Sequence, residues 1–184
     1  MNYLVTGLIC SGKSTFLNVA KKYSFETIKS DDIVSNLYND QSVVHEIEKH
    51  LNIERNQDNL ESIVKKLFFT SKKNREIIEA IFHPVVHKMI TNSLDISENL
   101  MVELPPIINN YELFQKYKSI YIHATKEIRI GRFNKRNNDG VCFDKINALQ
   151  SDFELIKEAC DLVIFNENGT DTLNKHFERG IIKK

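Results

Sequence analysis

The chain has 184 residues, 41% of them apolar and 27% charged, so it reads as one globular domain, or one with an inserted lobe, large enough to bury a core without disulfides or metals. Its 25 Lys and Arg are balanced by 25 Asp and Glu, so charge gives no ground for nucleic acid or a membrane surface as the main partner. Cys10, Cys142 and Cys160 are odd in number and form no CxxC pair, which argues against a disulfide framework or a zinc site and fits a reducing compartment.

Strands and helical patterns alternate along the chain. Tyr3 to Thr6 is a short apolar run that stops at a glycine, a buried first strand. Lys13 to Tyr23 reads as a helix. Phe25 to Ile28 is a second strand, stopped by Ser30, Asp31 and Asp32. From about Ile33 to Leu94 the pattern is helical, with Ile63, Leu67, Ile77, Ile78 and Ile81 at helix spacing, and Pro84 is expected to break or kink it. Asn99 to Leu104 and Ser119 to Ala124 are strands three and four. Glu127 to Arg136 and Lys145 to Glu158 read as helices, Leu162 to Phe165 as the fifth strand, and Thr172 to Arg179 as a closing helix.

Such alternation predicts a three-layer α/β fold around a five-stranded parallel sheet. The helical stretch between strands two and three is longer than a crossover needs and reads as an inserted lobe. The N-terminus lacks the basic and apolar regions of a signal peptide, and no stretch approaches the roughly 20 apolar residues that span a bilayer. A cytoplasmic protein is expected.

Residues 7 to 14 read Gly7-Leu8-Ile9-Cys10-Ser11-Gly12-Lys13-Ser14, which fits G-x-x-x-x-G-K-[ST] at every fixed position. The glycines permit tight turns, so that backbone N–H groups point inward at a phosphate. The helix dipole after Gly12 favours the anion. Lys13 adds a point charge toward the β- and γ-phosphates, and the Ser14 hydroxyl can ligate Mg²⁺. Cys10 lies near a helix N-terminus and a lysine, a setting that can lower a thiol pKa, although a small inert filler is the plainer reading.

A phosphate loop alone does not choose between kinase, switch and motor. Asp31 and Asp32 follow strand two, at the sheet edge where ligands bind in open α/β folds. One is expected to accept the proton of an acceptor hydroxyl and the other to cap the next helix. Arg129, Arg132 and Arg136 recur at i, i+3 and i+7, so on a continuous helix they share a face that could close over phosphates as a lid. No N-K-x-D signature appears, and strand three ends in Val102-Glu103-Leu104 without a D-x-x-G or D-E pair. These features favour a small-molecule kinase.

Taken together, the ordered motifs resemble the dephospho-coenzyme A kinase family across nearly the whole chain. Thr6 to Thr15 (TGLICSGKST) is similar to that family's T-G-G-I-G-S-G-K-S-T, and Lys29 to Ile33 (KSDDI) to its D-A-D-x-I. Phe82-His83-Pro84 matches its L-H-P, and Pro105-Pro106-Ile107-Ile108-Asn109 its strand-ending proline and L-L-F-E segment. Arg132 and Arg136 match R-x-x-x-R, Gln150 a glutamine on the next helix, and Cys160 to Asn166 the segment A-D-x-V-I-x-N. The chain departs at Leu8 and Cys10, where glycines are usual, at Lys29 and Asn109, which replace acids, and at Arg129, which replaces a glutamine.

The resemblance implies a P-loop NTPase fold with a helical acceptor-binding insertion and a helical lid: one domain over 1–184, the lobe at 33–95 and the lid region at 125–150. It implies phosphoryl transfer from ATP, with Mg²⁺, to the ribose 3′-hydroxyl of dephospho-coenzyme A, by a monomer or small homo-oligomer. Gly7, Leu8, Ile9, Cys10, Ser11, Gly12, Lys13, Ser14 and Thr15 would hold the nucleotide, with Ser14 on the metal. Asp31 would be the base, with Lys13, Arg132 and Arg136 stabilising the transferring group. Asp31, His83 and Pro105 would meet the acceptor; His83 reads equally well as a structural residue beside Pro84. Another nucleoside monophosphate or small-metabolite kinase of the same fold, and a non-catalytic ATP-binding sensor, are the competing readings.

Overall fold

The structure, a computed structural model, describes residues 1–54, 59–136, 142–150 and 153–182. The short apolar runs form β1 (Tyr3–Thr6), β2 (Glu26–Lys29), β3 (Leu100–Glu103), β4 (Ser119–His123) and β5 (Leu162–Phe165), each within one residue of its expected bounds. They build one sheet in the order β2-β3-β1-β4-β5. β1 runs parallel to β3 on one side and to β4 on the other, and β4 runs parallel to β5. The chain therefore leaves β1 toward one half of the sheet and later fills the other. That makes the carboxyl end of β1 a topological switch point, where open α/β sheets bind ligands.

β1 is buried at all four positions, as an inner strand covered on both faces must be. Alternation sends Tyr3 and Val5 to one face. There they pack with Phe16, Leu17, Val19 and Ala20 of α1 (Lys13–Lys21) and with Leu173 and Phe177 of α10 (Thr170–Phe177). Phe177 is wholly buried and meets the rings of Phe16, Tyr23 and Phe25 at 5.4, 4.9 and 5.7 Å. Truncating such a side chain to alanine costs about 3–5 kcal/mol, so this cluster anchors the helix that follows the glycine loop.

The chain forms two compact units, one of Met1–Ile28 with Ser97–Lys184 and one of Lys29–Ile96. The second contains α2 (Ser30–Leu37), α3 (Gln41–Leu51), α4 (Leu60–Thr70) and α5 (Lys72–Ile96). On α5 the buried residues are Ile78, Phe82, Val86, Ile90 and Leu94, spaced four apart. Four residues turn a helix about 40° past one full revolution, so this stripe winds around α5. It can thus serve α2, α3 and α4, all of which pack on α5.

Of the two outcomes expected at Pro84, a break does not occur: α5 runs uninterrupted from Lys72 to Ile96. Proline removes one backbone hydrogen bond. Here it is exposed, while Phe82 and Val86 on either side are 4% and 5% exposed, so burial holds the helix through the gap.

Beyond the short helix α6 (Tyr111–Lys116), two other expectations change. The helix read from Lys145 to Glu158 is α8 (Phe143–Leu149) and α9 (Phe153–Ala159), with Gln150 leaving helical geometry as the C-cap of α8. The helix read from Glu127 to Arg136 is α7 (Lys126–Asn134), capped by Thr125, so Arg136 lies beyond it.

Candidate active site

The loop after β1 is shaped by its glycines. Gly7 and Gly12 have φ of 148° and 111°, values that L side chains rarely adopt. A Cβ on Gly7 would collide with Ile122 O and lie 2.7 Å from Ser11 Oγ, and one on Gly12 would collide with Asn166 Nδ2. Cys10 also takes a left-handed conformation, with φ 60°, at a cost of about 1–2 kcal/mol for a residue with a Cβ. Its side chain is buried with Phe133 and Phe143, flanked by Ile9, Ile130 and Ile146. That apolar contact offsets the backbone cost and accounts for a cysteine where glycine is usual. It also favours the inert-filler reading of Cys10.

At the start of α1 three side chains converge. Lys13 Nζ donates to Gly7 O at 2.9 Å and lies 3.8 Å from Glu103 Oε1. Ser14 Oγ donates to Glu103 Oε2 at 3.1 Å. Glu103 is the last residue of β3 and pairs in register with Val5 of β1, which explains how it reaches a loop far away in sequence. Sequence reading missed it. The available signal was an acid closing an apolar strand, the position from which P-loop enzymes hold Mg²⁺. A hydroxyl and a carboxylate are hard oxygen donors and fit a hard cation that keeps several waters. Among the described residues no group of three or more His, Cys, Asp and Glu could form an all-protein metal cage.

The three arginines have separate environments. Arg129 is 4% exposed, donates to Ala124 O at 3.3 Å and Asn147 Oδ1 at 2.8 Å, and lies 5.4 Å from the Phe143 ring centre. Burial lowers its pKa. Arg132 donates to the loop carbonyls of Cys10 and Ser11 at 3.2 and 2.9 Å and to Asn166 O at 2.9 Å. Arg136 is exposed. The single shared helix face does not form, because α7 ends before Arg136 and Arg129 is drawn inward.

Asp31 and Asp32 are exposed in the first turn of α2, directly after β2. Neither is the cap: that position is Lys29, with no side-chain capping bond. The helix starts at Ser30, two residues earlier than a cap at Asp31 requires and three earlier than one at Asp32, and both carboxylates still suit its positive end. His83 is half-buried on α5, its ring 6.1 Å from that of His87, and burial followed by the neighbouring imidazole lowers its pKa. The Pro105 carbonyl accepts from Ile107 N–H at 3.0 Å and Asn110 Nδ2 at 2.8 Å, so its backbone organises the turn after β3. Loop residues therefore come together with Glu103 and Arg132 in one unit, and Asp31 and His83 belong to the other.

The model of the dephospho-CoA kinase family matches residues 3–172. Dephospho-CoA kinase of Legionella pneumophila (strain Lens) is 28% identical over 92% of this chain and 88% of its own length. That of Helicobacter hepaticus is 28% identical over 95% and 88%. Among solved structures, TT1252 from Thermus thermophilus superposes with a TM-score of 0.74 at 17% identity, over 100% of this chain and 97% of that one. Dephospho-CoA kinase from Campylobacter jejuni does so with a TM-score of 0.69 at 23% identity, over 99% and 96%. A shikimate kinase from Acinetobacter baumannii, at 0.62 and 18% over 100% and 94%, shares the fold. With the family model spanning nearly all of its length, the chain belongs to the dephospho-CoA kinase family.

Proposed function

We propose that this protein transfers the γ-phosphoryl group of ATP to the ribose 3′-hydroxyl of dephospho-coenzyme A, giving coenzyme A and ADP, the last step of coenzyme A synthesis. The observation that carries this is the convergence of Lys13 and Ser14 on Glu103 beside the glycine loop, in a chain matched by the family model over residues 3–172.

In the transfer, the 3′-oxygen bonds to the γ-phosphorus as the bond from that phosphorus to the β–γ bridging oxygen breaks. ADP takes the released electron pair, and the hydroxyl proton passes to Asp31. Catalysis here is positioning and charge neutralisation, with little covalent chemistry left to the protein. Gly7 to Thr15 hold the triphosphate through backbone N–H groups and the dipole of α1. Lys13 turns its ammonium from the loop carbonyls to the β- and γ-phosphates. Bound Mg²⁺ would neutralise the phosphate oxygens, with Ser14 and Glu103 as its protein side. Arg132 and Arg136 stabilise the charge in transit.

The unit of residues 29–96 receives the acceptor, with His83 and Pro105 as contacts, and the region 125–150, of which 137–141 lie outside the described residues, acts as the lid. A cytoplasmic location is the reading that fits the pathway and the three free cysteines. No helix among the described residues is long and apolar enough to cross a membrane.

An acceptor screen tests the assignment. Purified protein with Mg-ATP should release ADP when dephospho-coenzyme A is added. Release only with a nucleoside monophosphate or a hydroxy acid would reassign the acceptor. Tight ATP binding with no acceptor-dependent turnover would identify a sensor.

A further inference from the structure

Phosphate affinity in such a loop depends on which amides face the anion, and on how firmly the carbonyls are turned away from it. Two of the loop's N–H groups already have protein acceptors. Ser11 N–H closes a turn on Leu8 O at 3.0 Å, and Ile9 N–H donates to Gln150 Oε1 at 2.8 Å. On the other side, Ser11 O accepts from Asn166 Nδ2 at 2.7 Å as well as from Arg132. Asn166 is fixed in turn: its N–H donates to His123 O at 2.7 Å, and its Oδ1 accepts from Gly169 N–H at 3.1 Å.

Gln150 and Asn166 are 9% and 1% exposed. Burying an amide side chain is unfavourable unless it is hydrogen-bonded, and both use the loop backbone for this. They reach it from different elements, Gln150 from the C-cap of α8 and Asn166 from the residue after β5. One holds the Ile9 amide, and the other holds the Ser11 carbonyl. The first turn of α1 is left to meet an anion, since first-turn N–H groups have no acceptor within their own helix.

The geometry points to Gln150 and Asn166 as positioning residues that preset the phosphate loop for the donor nucleotide. They touch the loop backbone and not the reacting atoms. Preorganisation of this kind appears as affinity, because the ordering cost is met before the ligand arrives. The inference rests on the loop binding ATP, as proposed above, and is independent of which acceptor is used.

Three substitutions separate positioning from packing. Gln150→Leu removes the acceptor for Ile9 N–H at similar volume, and Gln150→Glu keeps one. Asn166→Asp keeps an oxygen for Gly169 N–H but loses the donor to Ser11 O. The full chain is titrated with MgADP by calorimetry. Q150L and N166D should raise the Kd about tenfold, and Q150E should stay within about threefold of the unsubstituted chain. KM for ATP should rise in parallel, with KM for the acceptor unchanged.

Cooperatively folded Q150L and N166D that bind MgADP normally would overturn the inference. So would Q150E weakening binding as much as Q150L, or both KM values rising together. Should Q150L fail to fold, the N166D arm decides. MgADP binding needs no acceptor, so a chain that binds MgADP as described yet leaves dephospho-coenzyme A untouched would sink the acceptor assignment and support this inference. An unsubstituted chain that does not bind MgADP would overturn both.

Discussion

Ser14 Oγ and Lys13 Nζ share one carboxylate: the hydroxyl donates to Glu103 Oε2 at 3.1 Å, and the ammonium stands 3.8 Å from Oε1. Lys13 and Glu103 have side chains only 12% and 14% exposed, so their mutual charge is weakly screened. Glu103→Gln keeps the shape and removes the charge. Turnover should fall roughly 10²-fold, and the Mg²⁺ concentration for half-maximal rate should rise, if the carboxylate supports the metal. ADP release titrated against Mg²⁺ checks this; an unchanged Mg²⁺ dependence would leave Glu103 as a counter-ion for Lys13 alone.

Asp31 and Lys13 should separate in their effects. Asp31→Asn should keep nucleotide affinity and reduce turnover by roughly 10²-fold or more, as loss of a general base does. Lys13→Ala should weaken nucleotide binding and turnover together. Steady-state kinetics beside MgADP calorimetry distinguishes the two. Full turnover in Asp31→Asn would shift the proton acceptor to Asp32 or to no side chain, and full turnover in Lys13→Ala would remove the loop assignment.

Arg129 and Arg136 belong to different classes of residue despite their spacing. Arg129→Ala strips a buried guanidinium from Ala124 O, Asn147 Oδ1 and the Phe143 ring. A loss of about 2–4 kcal/mol in unfolding free energy is expected, since hydrogen bonds to charged groups contribute about 1.5–3 kcal/mol each. Arg136→Ala removes an exposed side chain and should leave stability within about 0.5 kcal/mol. Its effect should appear in kcat. Urea titrations and ATP kinetics on both variants check the division, and a purely structural effect of Arg136→Ala would remove it from the transfer site.

What the sequence makes legible is local. Tyr3 to Thr6 is a strand because four apolar residues run into Gly7, and the loop follows from the spacing of Gly7, Gly12, Lys13 and Ser14. Glu103 was not recognised because its partner Ser14 is 89 residues away and is reached only through the β1–β3 pairing. Gln150 lies 141 residues from Ile9, and no periodicity reports that bond. Arg129 and Arg132 differ because residues three apart on a helix point about 60° from each other, enough to put one in the interior and the other on the loop. Pro84 does not end α5 because a local rule about proline competes with burial that is not local.

The three thiols should react in a set order. Cys142 is exposed, Cys10 is buried, and Cys160 is half-buried with its pKa pushed up to about 11, chiefly by burial. Nucleophilic thiol chemistry needs the thiolate and access to it. In the native protein a neutral alkylating reagent at pH 8 should therefore label Cys142 first, with Cys10 and Cys160 slow until the chain is denatured. Peptide mapping after timed quenching reads the order. Rapid labelling of Cys10 would show that its packing against Phe133 and Phe143 opens readily.

Stability should fall on the acid side through two histidines. His83 is held below the ordinary histidine pKa of about 6.5 by burial and then by His87, and His123 by burial and then by Lys157 and Arg129. A lowered pKa means that the native state binds fewer protons than the unfolded chain just below that value, so stability rises with pH there. Their contribution is fully present above about 6.5 and is lost as pH falls through the native-state pKa values. Urea unfolding at pH 7.5 and 5.5 should show a smaller acid-side loss for His83→Gln than for the unsubstituted chain. His123→Gln should show a weaker effect of the same sign, because its ring is less deeply buried. An acid-side loss unchanged in both variants would assign it to carboxylates instead.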